Sequence, residues 1–169
     1  MKRRIAEMDA SMGDWTRYVE QSPSLRNTAA IFAHSGDSWF WLLGLILLWG
    51  FGSEYWKNLA LILGISVIVT AIIVMAIKFT VKRSRPVGEW GKIYRNTDPH
   101  SFPSGHAVRA ALLATLAVGL APPWLGLLLV IWVPLVAGAR VVLGVHYLSD
   151  VVAGMVIGLL LGLLYLRLI

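Results

Sequence analysis

The chain has 169 residues, of which 57% are hydrophobic and only 14% charged, and it contains no cysteine. A soluble domain of this size carries about 25% charged residues, so a water-soluble enzyme, a disordered tail and a disulfide-stapled secreted domain are excluded. The net charge of +6 in so apolar a chain points to anionic headgroups or phosphates rather than to nucleic acid.

Residues 1–20 mix Lys2, Arg3, Arg4 and Arg17 with Ile5, Met8, Met12, Trp15 and Val19 at helical spacing. That pattern predicts a helix lying in the membrane interface. Gln21-Ser22-Pro23 reads as a stop and a new helix start, since proline is tolerated in a first turn. Residues 28–33 are apolar but too short to span, and no apolar run follows the basic start as in a cleavable signal peptide. Residues 1–37 are therefore expected to form an amphipathic interfacial segment, and 38–169 a single transmembrane domain.

A spanning helix needs roughly 20 mostly apolar residues, and five runs approach that length. Residues 38–56 carry Trp39 and Trp41 at one end and Trp49, Tyr55 and Trp56 towards the other, like an interfacial aromatic belt. Residues 58–77 contain no charge. Residues 106–121 are interrupted only by Arg109 and stopped by Pro122-Pro123. Residues 124–139 contain Pro134, an expected kink, and 151–166 end at Arg167. The expected fold is an all-α integral membrane helical bundle of five to six transmembrane helices. Five spans place 1–37, 78–105 and 140–150 on one side, with every Lys and Arg except Lys57 and Arg167 among the total of 15, counting Arg109 near the start of its helix. The excess favours a cytoplasmic face for that side in a multi-pass plasma membrane protein and leaves the side open. It survives when Lys78, Arg85 and Arg140 are set aside as phosphate ligands.

Three polar segments on that side carry the chemistry. The first, residues 78–103, holds Lys78, Lys82, Arg83, Arg85, Lys92 and Arg95; alone it reads as a basic loop near acidic lipid. In the second, Pro103 and Ser104 stand where a helix is capped, so the amides of Gly105 and His106 can face an anion. Gly105 has no Cβ to block the approach, and His106 can reach an ester oxygen. In the third, His146 and Asp150 are four residues apart, which brings them together on a helix or across a turn. A carboxylate accepting from Nδ1–H leaves Nε2 as a nucleophile. Arg140 at a membrane boundary calls for an anionic partner. Zinc held by His100, His106, His146 and Asp150 is disfavoured, because Lys78, Arg85 and Arg140 would crowd the cation. His34 and His100 read as structural, and Arg109 as either a substrate contact or a helix anchor.

Taken together, Lys78-x6-Arg85-Pro86, Pro103-Ser104-Gly105-His106 and Arg140-x5-His146-x3-Asp150 resemble the three-part signature of the type 2 phosphatidic acid phosphatase superfamily, which includes the vanadium haloperoxidases. One departure is Ala139, where the family usually has Ser. The resemblance implies a phosphatase that needs no metal or other cofactor and passes through a phosphohistidine. His146 would attack phosphorus, Asp150 orient it, and His106 protonate the leaving oxygen. Lys78, Arg85, Arg140, the Ser104 hydroxyl and the Gly105 amide would hold the equatorial oxygens. Short loops favour a lipid phosphate as substrate: phosphatidic acid, phosphatidylglycerol phosphate or a polyprenyl diphosphate. The alternatives are a phosphotransferase or haloperoxidase using the same pocket, and a non-enzymatic protein that binds anionic lipid.

Overall fold

The computed structural model describes Asp9 and residues 13–86 and 98–169, and the described residues form helices without any strand. In chain order these are α1 (Gly13–Gln21), α2 (Pro23–Ser35), α3 (Ser38–Phe51), α4 (Glu54–Val81), α5 (Gly105–Leu120), α6 (Pro123–Val142) and α7 (Leu148–Leu168). The five apolar runs correspond to α3 through α7, with one redistribution. The run 38–56 is divided after Phe51, and Glu54, Tyr55 and Trp56 open α4, where an acidic residue in the first turn suits the helix dipole. The helix α6 is continuous through Pro134. Of the apolar positions expected in the first helix, Val19 is buried against Ala29 and Ala33 of α2 and Ala139, Leu143 and Val145 beyond. Ile5, Met8 and Met12 lie outside the described residues.

By length and composition α4, α6 and α7 can each cross a membrane, and α2 with α3 pass together as one segment bent by 52°. The 16 residues of α5 are fewer than a span needs, rising only about 24 Å. This helix is also the most enclosed: Val108, Leu112, Leu113 and Leu116 are wholly buried, packed by α4, α6 and α7. Protein rather than lipid covers it, so it has no need of full bilayer length. The outward faces of the other helices are apolar instead, with Leu43, Ile46, Ile65, Ile72, Leu127 and Leu160 exposed, as a bilayer solvent requires.

The contact of α7 with α5 is made by glycine. A Cβ at Gly158 would stand 2.2 Å from the carbonyl oxygen of Val108, one at Gly154 2.8 Å from that of Ser104, and one at Gly162 2.7 Å from Thr115 Cβ. Small residues every fourth position let two helix backbones touch, and this close seam hangs α7 directly beneath Ser104. Because the helices alternate in direction, the end of α4, the start of α5, the end of α6 and the start of α7 gather at one end of the bundle. The three polar segments therefore meet there.

Candidate active site

Lys78 occupies the last turn of α4 and is buried. The helix ends at Lys82 in a left-handed conformation (φ 53°), its amide bonded to the Lys78 carbonyl at 2.9 Å. The chain then turns back along residues 98–101: Ser101 donates its amide to Arg83 O at 2.8 Å and its hydroxyl to Ser84 O at 3.0 Å. That path brings Arg85 inward. Lys78 Nζ donates to His100 O at 2.6 Å and pairs with Asp98 Oδ2 at 3.0 Å. Arg85 Nη2 meets the same Asp98 oxygen at 2.8 Å. The two cations thus converge on one carboxylate.

Ser104 is the N-cap of α5, but its hydroxyl makes no cap hydrogen bond. Its Oγ is buried and has no hydrogen-bond partner among the described residues. Its amide bonds to Asp150 O at 3.1 Å, which ties the second segment to the third. A Cβ on Gly105 would meet only Val74 Cγ1, at an ordinary 3.7 Å. Protein packing alone does not require a glycine there.

At the close of α6 Arg140 is buried, and its carbonyl receives the amide of His146 at 3.2 Å. The reversal into α7 passes through Gly144 at φ +63°, a conformation costly for any residue with a Cβ. A Cβ there would also lie 2.9 Å from Thr16 Cγ2 of α1. His146 and Asp150 are brought together across this turn, with Asp150 in the first turn of α7. Asp150 Oδ2 accepts from the Tyr147 amide at 3.0 Å, and Oδ1 from Arg83 Nη1 at 2.7 Å. Its distance to His146 Nδ1 is 3.8 Å, longer than the hydrogen bond expected from the spacing. Arg83 and the helix start take the short bonds instead, and Nδ1 is buried with no hydrogen-bond partner among the described residues.

His146 Nε2 lies 3.2 Å from Arg85 Nη1. A guanidinium only donates, so Nε2 carries the lone pair and the ring proton belongs on Nδ1, facing Asp150. Burial pushes the His146 pKa down to about 3, and the neighbouring Arg140, Arg85 and Lys78 add to this against the opposing Asp150. The neutral ring is the nucleophilic form. A depressed pKa means that this form is lost only as pH falls towards 3, not through the ordinary imidazole range. The acid limb of kcat/KM on 4-nitrophenyl phosphate is expected well below pH 6.5; a limb centred near 6.5 and abolished by substituting His146 would contradict the buried, neutral ring.

His106, in the first turn of α5, hydrogen-bonds through Nε2 to Asp37 Oδ1 at 2.7 Å. Arg109 donates to the carbonyl of Gly36, so it anchors the α2–α3 corner. His34 also belongs to that corner, its Nδ1 3.0 Å from Asp37 Oδ2. His100 contributes its backbone, and its ring stands edge-on to Phe79. Among the described residues no group of three His, Cys, Asp or Glu is gathered as metal ligands would be.

Four contributors were not read from the sequence: Asp9, Asp37, Arg83 and Asp98. Arg83 pairs with both Asp150 and Asp9, the latter at 2.7 Å, while Asp9 also accepts from the Ser149 amide at 3.1 Å. The available signal for Arg83 was its place two residues before Arg85, which puts both on the same side of an extended segment. The three carboxylates are isolated in the sequence and had none.

The family model described as "PAP2 superfamily" matches residues 59–169. That stretch contains every polar position of the three segments, from Lys78 to Asp150. The chain belongs to the PAP2 superfamily. It is 36% identical over 146 residues to the decaprenylphosphoryl-5-phosphoribose phosphatase of Mycobacterium tuberculosis, covering 83% of this chain and 78% of that protein. It is 28% identical over 142 residues to the undecaprenyl-diphosphatase of Sulfolobus acidocaldarius, covering 82% and 68%. Among solved structures, it is similar to the transmembrane PAP2-type phosphatidylglycerolphosphate phosphatase of Bacillus subtilis, with a TM-score of 0.72, 23% identity and coverage of 97% and 91%. Aquifex aeolicus LpxE gives a TM-score of 0.70 at 24% identity, covering 91% of this chain and 93% of that one. These two likenesses show that the PAP2 chain has their helical membrane fold. Asp9, His34 and Asp37 fall before the region matched by the family model.

Proposed function

We propose that this membrane-embedded PAP2 lipid phosphatase hydrolyses the phosphomonoester or diphosphate of a polyprenyl-type lipid through a phosphohistidine on His146. The observation that carries the reading is the convergence of Lys78, Arg85 and the lone-pair nitrogen of His146 at one buried point. At the start of α5 the buried hydroxyl of Ser104 has no hydrogen-bond partner among the described residues. A buried hydroxyl without a partner is costly, and a phosphate oxygen would satisfy it.

In this mechanism Nε2 of His146 attacks phosphorus as the bond to the lipid oxygen breaks. The leaving oxygen takes a proton from His106. Water then gives a proton to His106 and attacks the phosphohistidine, and the N–P bond breaks to release inorganic phosphate. Lys78, Arg85, Arg140, the Ser104 hydroxyl and the Gly105 amide stabilise the charge on the equatorial oxygens. Asp150 keeps the His146 proton on Nδ1. The polyprenyl class is supported by the two curated relatives named above, and the apolar outer faces of the helices suit a substrate that stays in the bilayer. The concentration of Lys and Arg at the site end supports a cytoplasmic face in a plasma membrane.

The test is phosphate release in detergent, with EDTA present, from farnesyl phosphate, farnesyl diphosphate, phosphatidic acid and phosphatidylglycerol phosphate. Release from the prenyl compounds at the highest kcat/KM is expected. Cleavage of the glycerolipids alone would overturn the substrate class, and loss of all activity on chelation would overturn the metal-independent mechanism.

Asp98 bears on affinity. Its carboxylate sits on the two cations that the substrate phosphate would use, so phosphate must displace it. Asp98→Asn removes that competing anion and is expected to tighten inhibition by vanadate several-fold, roughly 1 kcal/mol. Steady-state inhibition constants measure it, and weaker inhibition would mean that Asp98 instead holds Lys78 and Arg85 in place.

A further inference from the structure

The corner between α2 and α3 is held with unusual care for a short link. Trp41 Nε1 donates to Ser35 O at 2.9 Å, Trp132 Nε1 of α6 donates to Ser35 Oγ at 2.8 Å, and Arg109 of α5 donates to Gly36 O. A Cβ on Gly36 would lie 3.0 Å from Val136 Cγ1 and 3.1 Å from His106 Cδ2. The corner therefore sits directly against the His106 ring. Three separate elements fix two consecutive residues, Ser35 and Gly36, and the side chain thereby presented is Asp37. Its two oxygens are used differently: Oδ1 faces His106 Nε2 at 2.7 Å, and Oδ2 faces His34 Nδ1 at 3.0 Å.

We propose that Asp37 is the positioning residue of the general acid, holding His106 by Nε2 so that Nδ1 addresses the leaving oxygen and the imidazolium is stabilised until it gives up its proton. The inference rests on the role assigned above to His106. The charged groups around the ring make an anion necessary. Arg109 follows on the same helix, Arg140 approaches from α6, and Lys78 and Arg85 line the site from α4 and the segment after it. All are positive, and Arg109 and Arg140 are the ones that act on the ring. Asp150 at the start of α7 is engaged by Arg83 and Tyr147. Asp37 is the carboxylate in contact with His106, with His34 behind it. A hydrogen bond through Nε2 also settles the geometry, since an imidazole so fixed can act only through Nδ1.

The proton balance needs nothing further. Cleavage moves one proton from His106 Nδ1 to the lipid oxygen, and the later attack by water returns one to the same nitrogen. Asp37 remains a carboxylate throughout, and its contribution depends on how much the leaving group needs a proton. An alkoxide leaving a prenyl phosphomonoester needs one, whereas 4-nitrophenolate does not.

The experiment compares wild type, Asp37→Asn, Asp37→Glu, His106→Asn and the double variant Asp37→Asn/His106→Asn on farnesyl phosphate and 4-nitrophenyl phosphate across pH. Asp37→Asn is expected to lower kcat on farnesyl phosphate by about 10- to 100-fold, the scale of general acid catalysis, while kcat on 4-nitrophenyl phosphate falls by less than about threefold. The alkaline limb on farnesyl phosphate should move to lower pH. Asp37→Glu should restore part of the rate and the limb, and the double variant should be no slower than His106→Asn. Equal losses on both substrates with an unmoved limb would make Asp37 merely structural and overturn the proposal. If Asp37→Asn does not fold, retention of the wild-type limb in a folded Asp37→Glu supports the proposal, and its disappearance there overturns it. Failure of the underlying reading looks different: His106→Asn would then leave kcat unchanged on both substrates.

Discussion

His146→Ala is expected to abolish turnover, by about 10⁴-fold or more, as removal of a nucleophile does elsewhere. Several observations set the size of this effect. The Nε2 lone pair is aimed at Arg85, the ring is almost wholly buried, and no second imidazole is placed to attack in its stead, because Nε2 of His106 is held by Asp37. The phosphate-holding groups remain in the variant, so substrate still binds and only the covalent step is lost. Two measurements check this. Phosphate release from farnesyl phosphate gives the rate, and rapid quenching with radiolabelled substrate should show an acid-labile, alkali-stable phosphoprotein in wild type alone. The thermal midpoint in detergent reports that the variant is folded. Turnover within tenfold of wild type in a folded His146→Ala would remove His146 from the mechanism.

Gly158→Ala is expected to have the largest effect on stability of any single methyl group added to the chain. The new carbon would be placed 2.2 Å from the Val108 carbonyl oxygen and 3.0 Å from the Leu112 amide nitrogen. Both are backbone atoms of an enclosed helix that cannot move aside alone. Overpacking of this kind costs about 1–3 kcal/mol or more, against a gain of at most about 1 kcal/mol in helix propensity. At Gly64 on α4 a Cβ meets nothing within 4 Å, so Gly64→Ala should be neutral or slightly stabilising. Thermal midpoints of the two variants in the same detergent separate steric from propensity effects, and equal midpoints would refute the close seam. Activity should follow, because separating α7 from α5 separates Asp150 from Ser104. A misplacement of about 1 Å at a reacting centre can cost roughly 100-fold.

The spans and the three polar segments were legible because their signals are local. Residues 58–77 lack charge for a full bilayer width, and Pro103 to His106 carry a helix start and the candidate anion site in four positions. The break within 38–56 was less legible, since Gly52 and Ser53 interrupt the helix without interrupting the apolar run. The glycine seam was hidden for another reason: Gly154, Gly158 and Gly162 are ordinary in a membrane helix until α5 is known to lie against them. Asp37 illustrates the general limit. It stands 69 positions from His106, in a stretch expected to lie apart at the interface. Only the packing of α2 on α6 and the bend into α3 turn that carboxylate towards the ring. The expected His146–Asp150 bond shows the converse. Spacing placed the two residues near each other, but it could not anticipate that the Tyr147 amide would take the nearer oxygen, Oδ2, and Arg83 the other.

The hydrogen bond from Ser104 to the carbonyl of Asp150 has a consequence for how the protein is made. Ribosomes deliver the helices in order, so the lysine and arginine that grip phosphate enter the bilayer first, and the start of α5 follows. The groups that complete them, His146 and the first turn of α7, emerge last. Until then Ser104 has no Asp150 carbonyl to hold, and the stretch of α5 that will face Gly154 and Gly158 lies open to lipid or to the translocation machinery. A nascent chain halted before α7 therefore lacks His146 and Asp150, and the final helix brings in the last groups of the site.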